Sequence, residues 1–241
     1  MNIGIIFAGG IGARMHSKDK PKQFLSVYNK PIIVHTLEHF QNNSEIDAII
    51  VVCVKNWINY LSQILEYYKL TKVKKIVEGG ETGQLSIFNG LVAAEKIAKG
   101  EECIVLIHDG VRPLINSNLL SENIECVKKH GSSITSAIVK ETIVEILPDN
   151  SIKQVIDRSY SRVAKAPQCF WLKDILEVDR KAIANNERDY IDSCTMMQAY
   201  GYKMHMIEGP YENIKITTPD DFYTMRAILQ VKEDAQLYIM E

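Results

Sequence analysis

The first residues of the chain restrict its fold more than any other segment. Residues 2–8 read NIGIIFA, a short run that is apolar on both faces, and a glycine-rich stretch follows at once. Continuous apolar runs of this length are typical of strands buried inside a parallel sheet. Glycines that follow such a strand free backbone N–H groups to face a phosphate. The segment therefore predicts the first strand of an α/β domain with a ligand site at its end.

Similar apolar runs alternate with helical periodicity along the first half of the chain. Strands are predicted at residues 47–54, 72–78, 103–108 and 133–139, all of them buried, and helices at 31–40, 56–69, 84–99 and 116–130. Gly100 and Gly131 stand where two of these helices would end. Alternation of this kind implies βαβ units, so we predict a mostly parallel, twisted sheet flanked by helices.

The pattern changes after about residue 138. Residues 138–170 show no clear helix and hold two short strands, 142–146 and 152–156, joined by turn residues at 148–151. We predict a β-hairpin arm, residues 138–170, that protrudes from a single domain of residues 1–241. The remaining predicted elements are helices at 172–185 and 190–200, strands at 203–208 and 214–217, and a last helix that begins at Pro219.

Composition excludes several classes of protein. The 241 residues are 46% hydrophobic and 24% charged, with a net charge of −2, so the basic excess typical of nucleic-acid binding is absent. Apolar runs are far shorter than the ~20 residues of a spanning helix, and the N-terminus lacks signal-peptide features. The five cysteines include no CxxC pair, which favours reduced thiols. We expect a cytoplasmic protein that binds neither nucleic acid nor membrane.

Basic side chains follow the glycine-rich stretch at a spacing suited to a triphosphate. Residues 9–14 read GGIGAR and residues 21–23 read PKQ. Met15 stands where a dinucleotide fingerprint needs its third glycine, and the sequence has no GxxxxGK[ST] string. Glycines allow close backbone approach, while Arg14 offers a bidentate fork and Lys22 a point charge.

Three further strings could carry chemistry. Residues 108–113 read HDGVRP at the end of a predicted strand, where Asp109 is placed to hold Mg²⁺, although His108 alone is better explained as structural. The Gly-Gly pair that opens residues 79–90 lets a flat base approach, and Ser86 could bond its edge. Lys215 lies in a short apolar segment and needs an anionic partner there.

Taken in order, these strings resemble one enzyme family. The strings are AGG-x-G-x-R-M, PKQFL, GG-(x)₅-S-x-x-NG, HDGVRP, VKETI, APQ-x-F and NIKITTPDD. Together they resemble the methylerythritol-phosphate and ribitol-phosphate cytidylyltransferases, from Met1 to about Arg226. The resemblance implies a Rossmann-like nucleotidyltransferase fold, CTP and a sugar-alcohol phosphate as substrates, and Mg²⁺ as cofactor.

The resemblance also assigns roles to single residues. The catalytic positions are Arg14, Lys22 and Lys215. The nucleotide-binding positions are Ala8, Gly9, Gly10, Gly12, Gly80, Ser86, Asp109 and Gly110, with Asp109 as the metal ligand. The substrate-binding positions are Thr142, Arg158 and Asp192, although Arg158 fits a solvated charge equally well. A homodimer that exchanges hairpin arms is implied too, with Arg158 reaching the substrate phosphate of the partner.

Departures from the family pattern bear on the substrate. Gly83 stands where the family has Arg, Ala166 where it has Thr, and Glu212 where the methylerythritol branch has Asp. The segment DSCT that begins at Asp192, and PIIVHT at residues 31–36, look like the ribitol-phosphate branch. We therefore predict conversion of CTP and D-ribitol 5-phosphate to CDP-ribitol and pyrophosphate, which would feed a teichoic acid or a ribitol-containing capsule.

Three alternatives stay open on the sequence. The chain could use 2-C-methyl-D-erythritol 4-phosphate in isoprenoid biosynthesis, or it could be another polyol- or sugar-phosphate nucleotidyltransferase with a different base. It could also be a non-catalytic binding protein, which the changes at Gly83 and Ala166 make conceivable. Charged residues at predicted strand ends argue against that last alternative, because a pure scaffold would not need them.

Overall fold

A seven-stranded sheet forms the centre of the molecule in a computed structural model that describes residues 1–9 and 20–237. The strands of the described part are β1 Asn2–Ala8, β2 Ser26–Val27, β3 Lys30–Pro31, β4 Ala48–Cys53, β5 Val73–Glu78, β6 Ile104–Asp109, β7 Ser132–Ile138, β8 Ile143–Ile146, β9 Ile152–Ile156, β10 Arg162–Trp171 and β11 Met206–Glu208. The central sheet has the order β11-β7-β10-β6-β1-β4-β5. Only β10 runs antiparallel to its neighbours in this sheet, so the predicted mostly parallel α/β architecture is confirmed.

Helices cover both faces of the sheet. They are α1 Ile32–Asn42, α2 Ile58–Tyr67, α3 Gly83–Ala98, α4 Ser117–His130, α5 Leu172–Ala184, α6 Ser193–Ala199 and α7 Pro219–Leu237. Successive side chains of a strand point to opposite faces. Ile6 of β1 accordingly packs in a core with α1, α2 and α4, whereas Ile5 packs in a second core with α3, α5 and α6. None of the helices in the described ranges is long and apolar enough to cross a membrane.

The last helix is fixed to the body of the protein near the sheet edge that carries the candidate site. Thr218 and Asp221 cap α7 reciprocally: the Asp221 carboxylate accepts from the Thr218 backbone N–H at 2.8 Å, and the Thr218 hydroxyl accepts from the Asp221 N–H at 3.4 Å. Met225 and Ile216 are fully buried in a small apolar cluster that includes Val111. The segment that carries Lys215 is therefore held against the loop after β6.

Strand β10 is the main element that the sequence analysis missed. Its segment contains Pro167, and a proline cannot donate to a sheet ladder. The structure accommodates this proline at a register shift between Ala164 and Gln168, where the pairing of β10 with β7 is interrupted. The ladder resumes at Gln168, and β10 lies between β6 and β7 in the central sheet. The predicted arm of residues 138–170 is therefore too wide, because residues 162–170 belong to strand β10 of the central sheet.

The hairpin itself forms as predicted. Strands β8 and β9 pair antiparallel with each other and form a separate two-stranded sheet. Asn150 has a φ of 65° in the connecting turn, a left-handed conformation that asparagine tolerates. The side chain of Asp149 accepts from the Ser151 backbone N–H at 3.0 Å and closes this turn.

Two other predicted strands differ from expectation. The predicted strand at residues 72–78 forms as β5, but it lies at the sheet edge and its side chains are exposed or half-buried rather than buried. Residues 214–217 do not form a strand. The Ile216 N–H donates to the Val111 carbonyl at 2.9 Å, which attaches this segment without extending the ladder.

Candidate active site

A compact charged cluster lies at the carboxyl end of β6. Asp109 is the last residue of this strand and its side chain is 15% exposed. Its Oδ1 lies 2.7 Å from Nζ of Lys215, and its Oδ2 lies 2.7 Å from Nε of Arg112. The carboxyl ends of strands are where open α/β sheets bind ligands. The structure thus brings together two of the predicted site residues, Asp109 and Lys215, and adds Arg112.

The two cations determine the protonation state of the carboxyl. Burial by itself raises the pKa of Asp109, but the ion pairs with Lys215 and Arg112 outweigh burial and lower this pKa to about 2. Asp109 is therefore ionised at neutral pH. The cluster carries one negative and two positive charges, so it retains a net positive charge that can attract an anion.

Backbone contacts hold Arg112 in place. Its Nη1 donates to the Asn213 carbonyl at 3.1 Å, and Nδ2 of the buried Asn213 donates to the Ala166 carbonyl at 2.7 Å. These bonds join the loop after β6, strand β10 and the segment of Lys215. His108 supports the same loop, since its Nε2 lies 3.0 Å from the Arg112 carbonyl and burial lowers its pKa to about 4. This burial and hydrogen bond agree with the structural interpretation of His108.

A second loop, residues 79–82, lies between β5 and α3, at the same carboxyl edge of the sheet as Asp109. The Ser86 hydroxyl accepts from the Gly80 N–H at 2.9 Å and donates to the Thr82 carbonyl at 2.8 Å. A Cβ on Gly80 would lie 2.6 Å from the Leu85 Cβ, which explains why glycine stands there. Ser86 thus holds the backbone of the Gly-Gly turn in place. Its contact with the edge of a base stays a prediction.

The end of β1 is packed against both loops. A Cβ on Gly9 would lie 2.9 Å from the Phe7 ring, so a side chain there would force a shift. Gly110 donates its N–H to the Phe7 carbonyl at 2.8 Å. The buried Gln23 donates from Nε2 to the Ala8 carbonyl at 2.7 Å, which attaches the segment of Lys22 to this strand end. The half-buried Lys22 begins a short 3₁₀ helix, Lys22–Phe24.

A cavity of about 220 Å³ opens beside the charged cluster. Its walls come from β6, β10, the start of α3, α5 and the loop before α6. Asp192 lines it and caps α6, with Oδ1 accepting from the Thr195 N–H at 2.8 Å and Oδ2 accepting from Nε2 of Gln168 at 2.9 Å. The sequence prediction that Asp192 lies near the substrate site agrees with this position.

The remaining predicted residues lie elsewhere. Thr142 and Arg158 are exposed at the base of the hairpin, where the chain enters and leaves it, and neither lines the cavity that the described residues form. Nη1 of Arg158 donates to the Lys140 carbonyl at 3.2 Å. Three positions of the glycine-rich loop, Gly10, Gly12 and Arg14, lie outside the described residues.

Sequence reasoning did not assign several residues that the structure places at the site. Arg112 was visible in the string HDGVRP, and Gln84 follows the Gly-Gly loop. Gln168 lies on β10, a strand that was not predicted because Pro167 interrupts its pattern. Asp179 interrupts the apolar face of α5, where its neighbours Ile175, Val178 and Ala182 are buried. An acid on the buried face of an amphipathic helix is the signal that could have identified it.

The described residues could hold a divalent cation together with the phosphates of a substrate. Among the described residues, no group of three His, Cys, Asp or Glu side chains could hold a metal ion. Mg²⁺ commonly binds one or two carboxylates together with substrate phosphates. Asp109 fits as the single protein carboxylate because it is ionised and stands at a strand end.

Comparison with known proteins identifies the family of this chain. The family model of IspD, 2-C-methyl-D-erythritol 4-phosphate cytidylyltransferase, matches residues 3–231. A ribitol-5-phosphate cytidylyltransferase of Streptococcus agalactiae serotype V is 55% identical over 240 residues, covering 100% of both chains. The protein of that name from Vibrio parahaemolyticus is 51% identical, covering 99% of this chain and 100% of the relative.

More distant relatives share the fold and the general activity. A 2-C-methyl-D-erythritol 4-phosphate cytidylyltransferase of Clostridium novyi is 38% identical, covering 95% of this chain and 96% of its own. The crystal structure of 4-diphosphocytidyl-2C-methyl-D-erythritol synthase from Anaerococcus prevotii superposes with a TM-score of 0.82 at 31% identity, covering 95% and 96% of the two chains. The chain therefore belongs to the IspD family of cytidylyltransferases.

Proposed function

We propose that this protein transfers the cytidylyl group of CTP to D-ribitol 5-phosphate, giving CDP-ribitol and pyrophosphate. Full-length identity of 51–55% to proteins named ribitol-5-phosphate cytidylyltransferase carries the choice of substrate. Proteins named for methylerythritol phosphate match at 36–38%. The departures around Asp192 and at Ala166 fit this assignment, because both positions line the cavity beside the charged cluster.

The chemistry follows from the charges at the carboxyl end of β6. An oxygen of the ribitol phosphate attacks the α-phosphorus of CTP in line, the bond from that phosphorus to the bridging oxygen breaks, and pyrophosphate leaves. The attacking phosphate has its second pKa near ~6, so it is largely ionised at neutral pH and needs no general base. The neutral, buried His108 is therefore no obstacle to this mechanism.

Positive side chains reduce the repulsion between the two polyanionic substrates. Lys215 and Arg112 provide two cations at Asp109, and Lys165 lies on β10 along the same cavity. We assign Lys22 and Arg14 to the triphosphate, with the backbones of Gly9, Gly10 and Gly12. Preorganised charges that meet a developing charge are the largest common source of rate enhancement. Mg²⁺, held by Asp109 and the phosphates, would supply additional charge neutralisation at phosphorus.

We further propose that the active unit is a homodimer joined through the hairpin. Ile146, Ile152 and Val155 are 55%, 63% and 63% exposed in the single chain. An isolated two-stranded hairpin is marginally stable, and its bare edges are a liability. A second copy packed on this hairpin would cover the apolar side chains. It would also bring Thr142 and Arg158 to the phosphate of a substrate bound by the partner.

The cell compartment follows from the substrates. CTP is a cytoplasmic nucleotide, and all five cysteines are free thiols with side chains that are buried or half-buried. We therefore place the reaction in the cytoplasm.

Pyrophosphate release tests the substrate assignment directly. The purified protein is incubated with Mg²⁺ and each of four nucleoside triphosphates, together with ribitol 5-phosphate, methylerythritol 4-phosphate or other pentitol and tetritol phosphates. We expect turnover with CTP, loss of turnover after chelation of Mg²⁺, and a kcat/KM for ribitol 5-phosphate more than ~10-fold above that for methylerythritol 4-phosphate. A higher kcat/KM for methylerythritol 4-phosphate would assign the protein to the methylerythritol branch, and the proposed mechanism would be unaffected.

A further inference from the structure

Two chemically different groups of side chains line the cavity beside Asp109. Lys215 and Arg112 contribute positive charge and pair with Asp109, while Gln84 of α3 and Asp179 of α5 pair with each other. A polyol phosphate combines the same two chemistries, since a dianionic group stands at one end of its chain and hydroxyl groups occupy the rest. Hydroxyl groups need hydrogen-bond acceptors once they leave water. The carboxyl and amide groups of the second pair are suited to that task.

Gln84 lines the cavity and is held by hydrogen bonds from both ends of its amide group, so it cannot easily turn. Its Nε2 donates to Oδ1 of Asp179 at 2.9 Å and to the Glu187 carbonyl at 3.0 Å. Its Oε1 accepts from the Tyr190 N–H at 3.0 Å. The side chain is buried, and these bonds connect α3 with α5 and with the loop before α6.

Asp179 differs from the other two cavity carboxylates, because both oxygens of Asp109 are held in ion pairs and those of Asp192 in hydrogen bonds. Asp192 uses both oxygens within the protein, as the cap of α6 and as the partner of Gln168. Asp179 is fully buried, and none of the described residues donates a hydrogen bond to its Oδ2. An ionised carboxylate can accept several hydrogen bonds, and a buried one without partners is costly.

This cost is visible in the protonation equilibrium of the group. Burial raises the pKa of Asp179 to about 6, and the hydrogen bond from Gln84 offsets only part of that effect. An apolar residue at this position of α5 would avoid the cost, since Ile175 and Ala182 on the same face are apolar and fully buried. Positions that break a local stability rule are expected at functional sites.

We propose that Asp179 is a specificity-determining residue, whose Oδ2 accepts a hydrogen bond from a hydroxyl at the end of the polyol remote from the phosphate. Gln84 is the positioning residue that holds the carboxylate. The inference rests on the proposed function, because it assigns a contact to the sugar-alcohol phosphate of that reaction. A chain with more hydroxyl-bearing carbons reaches further from the phosphate and so places a hydroxyl at Asp179.

The test compares Asp179→Asn with the wild-type protein on three substrates: ribitol 5-phosphate and its 1-deoxy and 2-deoxy analogues. Asparagine keeps the shape but has an NH₂ group in place of one carboxylate oxygen, so the acceptor position toward Gln84 or the one toward the substrate is lost. We expect the variant to lose about 10- to 100-fold in kcat/KM with ribitol 5-phosphate. For the wild-type protein, removing the hydroxyl that contacts Asp179 should lower kcat/KM by a similar factor, so one deoxy analogue should be a poorer substrate than ribitol 5-phosphate. On that analogue, the kcat/KM of the variant should be less than about 3-fold below that of the wild-type protein.

Controls separate this contact from a structural role. Asp174→Asn makes the same chemical change on α5 at a residue that does not line the cavity, and it should leave all three kcat/KM values unchanged. Circular dichroism and the thermal midpoint check the fold of each variant. Two results would overturn the role of Asp179. One is that Asp179→Asn lowers kcat/KM by the same factor on all three substrates. The other is that the wild-type protein uses both deoxy analogues as well as ribitol 5-phosphate. A wild-type protein that does not turn over ribitol 5-phosphate would refute the proposed function itself.

Discussion

The charged cluster at β6 and the hairpin of β8 and β9 find their partners in different places. Within the cluster, Asp109 has a cation on each oxygen, supplied by residues 3 and 106 positions away in the chain. The two hairpin strands pair with each other alone in the described part of the chain, and Ile152 and Val155 stay exposed. The charged cluster therefore finds all of these partners within a single copy of the chain. The hairpin, in contrast, leaves apolar side chains exposed to solvent.

The difference separates two ways in which residues contribute free energy, one to catalysis and one to association. Charges held at the end of a buried strand are fixed by packing before a ligand arrives, and this preorganisation is what catalysis needs. Apolar residues on an exposed ribbon contribute little to the stability of the single chain, because burial is the source of their stabilisation. Substitutions in the cluster should therefore change catalysis within one copy, and those in the hairpin should act between copies.

The largest effect is expected from the cluster. Lys215→Ala removes a cation beside Asp109 that would act on the reacting phosphates, so we expect kcat/KM to fall by about 10²- to 10³-fold, or on the order of 3 to 4 kcal/mol. Steady-state pyrophosphate release with CTP and ribitol 5-phosphate measures the loss. The exposed Lys75 on the edge strand β5 offers a matched control, and Lys75→Ala should retain wild-type activity. Activity near wild type in Lys215→Ala, with unchanged circular dichroism, would remove Lys215 from the catalytic set.

A mixing experiment tests whether the hairpin acts on a partner copy. Lys22→Ala and Arg158→Ala are purified separately, each with low activity, and then combined under conditions that exchange subunits. If Arg158 serves the site of the partner, each heterodimer has one site with both lesions and one with none. A 1:1 mixture should then recover about one quarter of wild-type activity, because half of its dimers have one intact site of two.

Two results would contradict the composite site. Absence of recovery after subunit exchange has been verified would mean that Arg158 acts within its own chain or has no role in the reaction. Sedimentation of the wild-type protein as a monomer at assay concentrations would contradict the proposed homodimer. The apolar side chains of the hairpin would then not be covered by a second copy.

Much of the fold follows from local pattern, and the exceptions have identifiable physical causes. Strands β1, β4 and β6 were predictable because they are apolar on both faces, as strands buried between two helical layers must be. Strand β10 escaped prediction since Pro167 interrupts its pattern, and only the register shift shows how a sheet accommodates it. The exposure of β5 depends on its place in the strand order, which short-range pattern does not contain.

The candidate site shows the same division between local and long-range information. The position of Asp109 at a strand end, and the need of Lys215 for an anion, were both predictable from the chain. The pair of Gln84 and Asp179 was not, because 95 residues separate its members and the pairing depends on how α3 packs on α5. The hydrogen bonds of the Ser86 hydroxyl to the loop backbone were not predicted from the sequence, and its contact with a base edge stays a prediction.

The smallest expected effect is on the pH dependence of folding stability, and it tests whether the cluster forms its ion pairs within one copy. Its two cations lower the pKa of Asp109 to about 2 against burial, so the ionised carboxylate stabilises the folded state above the pKa of the unfolded chain, near ~4. This contribution, about 2 kcal/mol, is lost as the pH falls toward 2. Urea denaturation of the wild-type protein and of Asp109→Asn should therefore differ by about that amount at pH 6 and by about half of it at pH 3. A difference in unfolding free energy that stays constant between pH 6 and pH 3 would show that the carboxylate is not stabilised by Lys215 and Arg112.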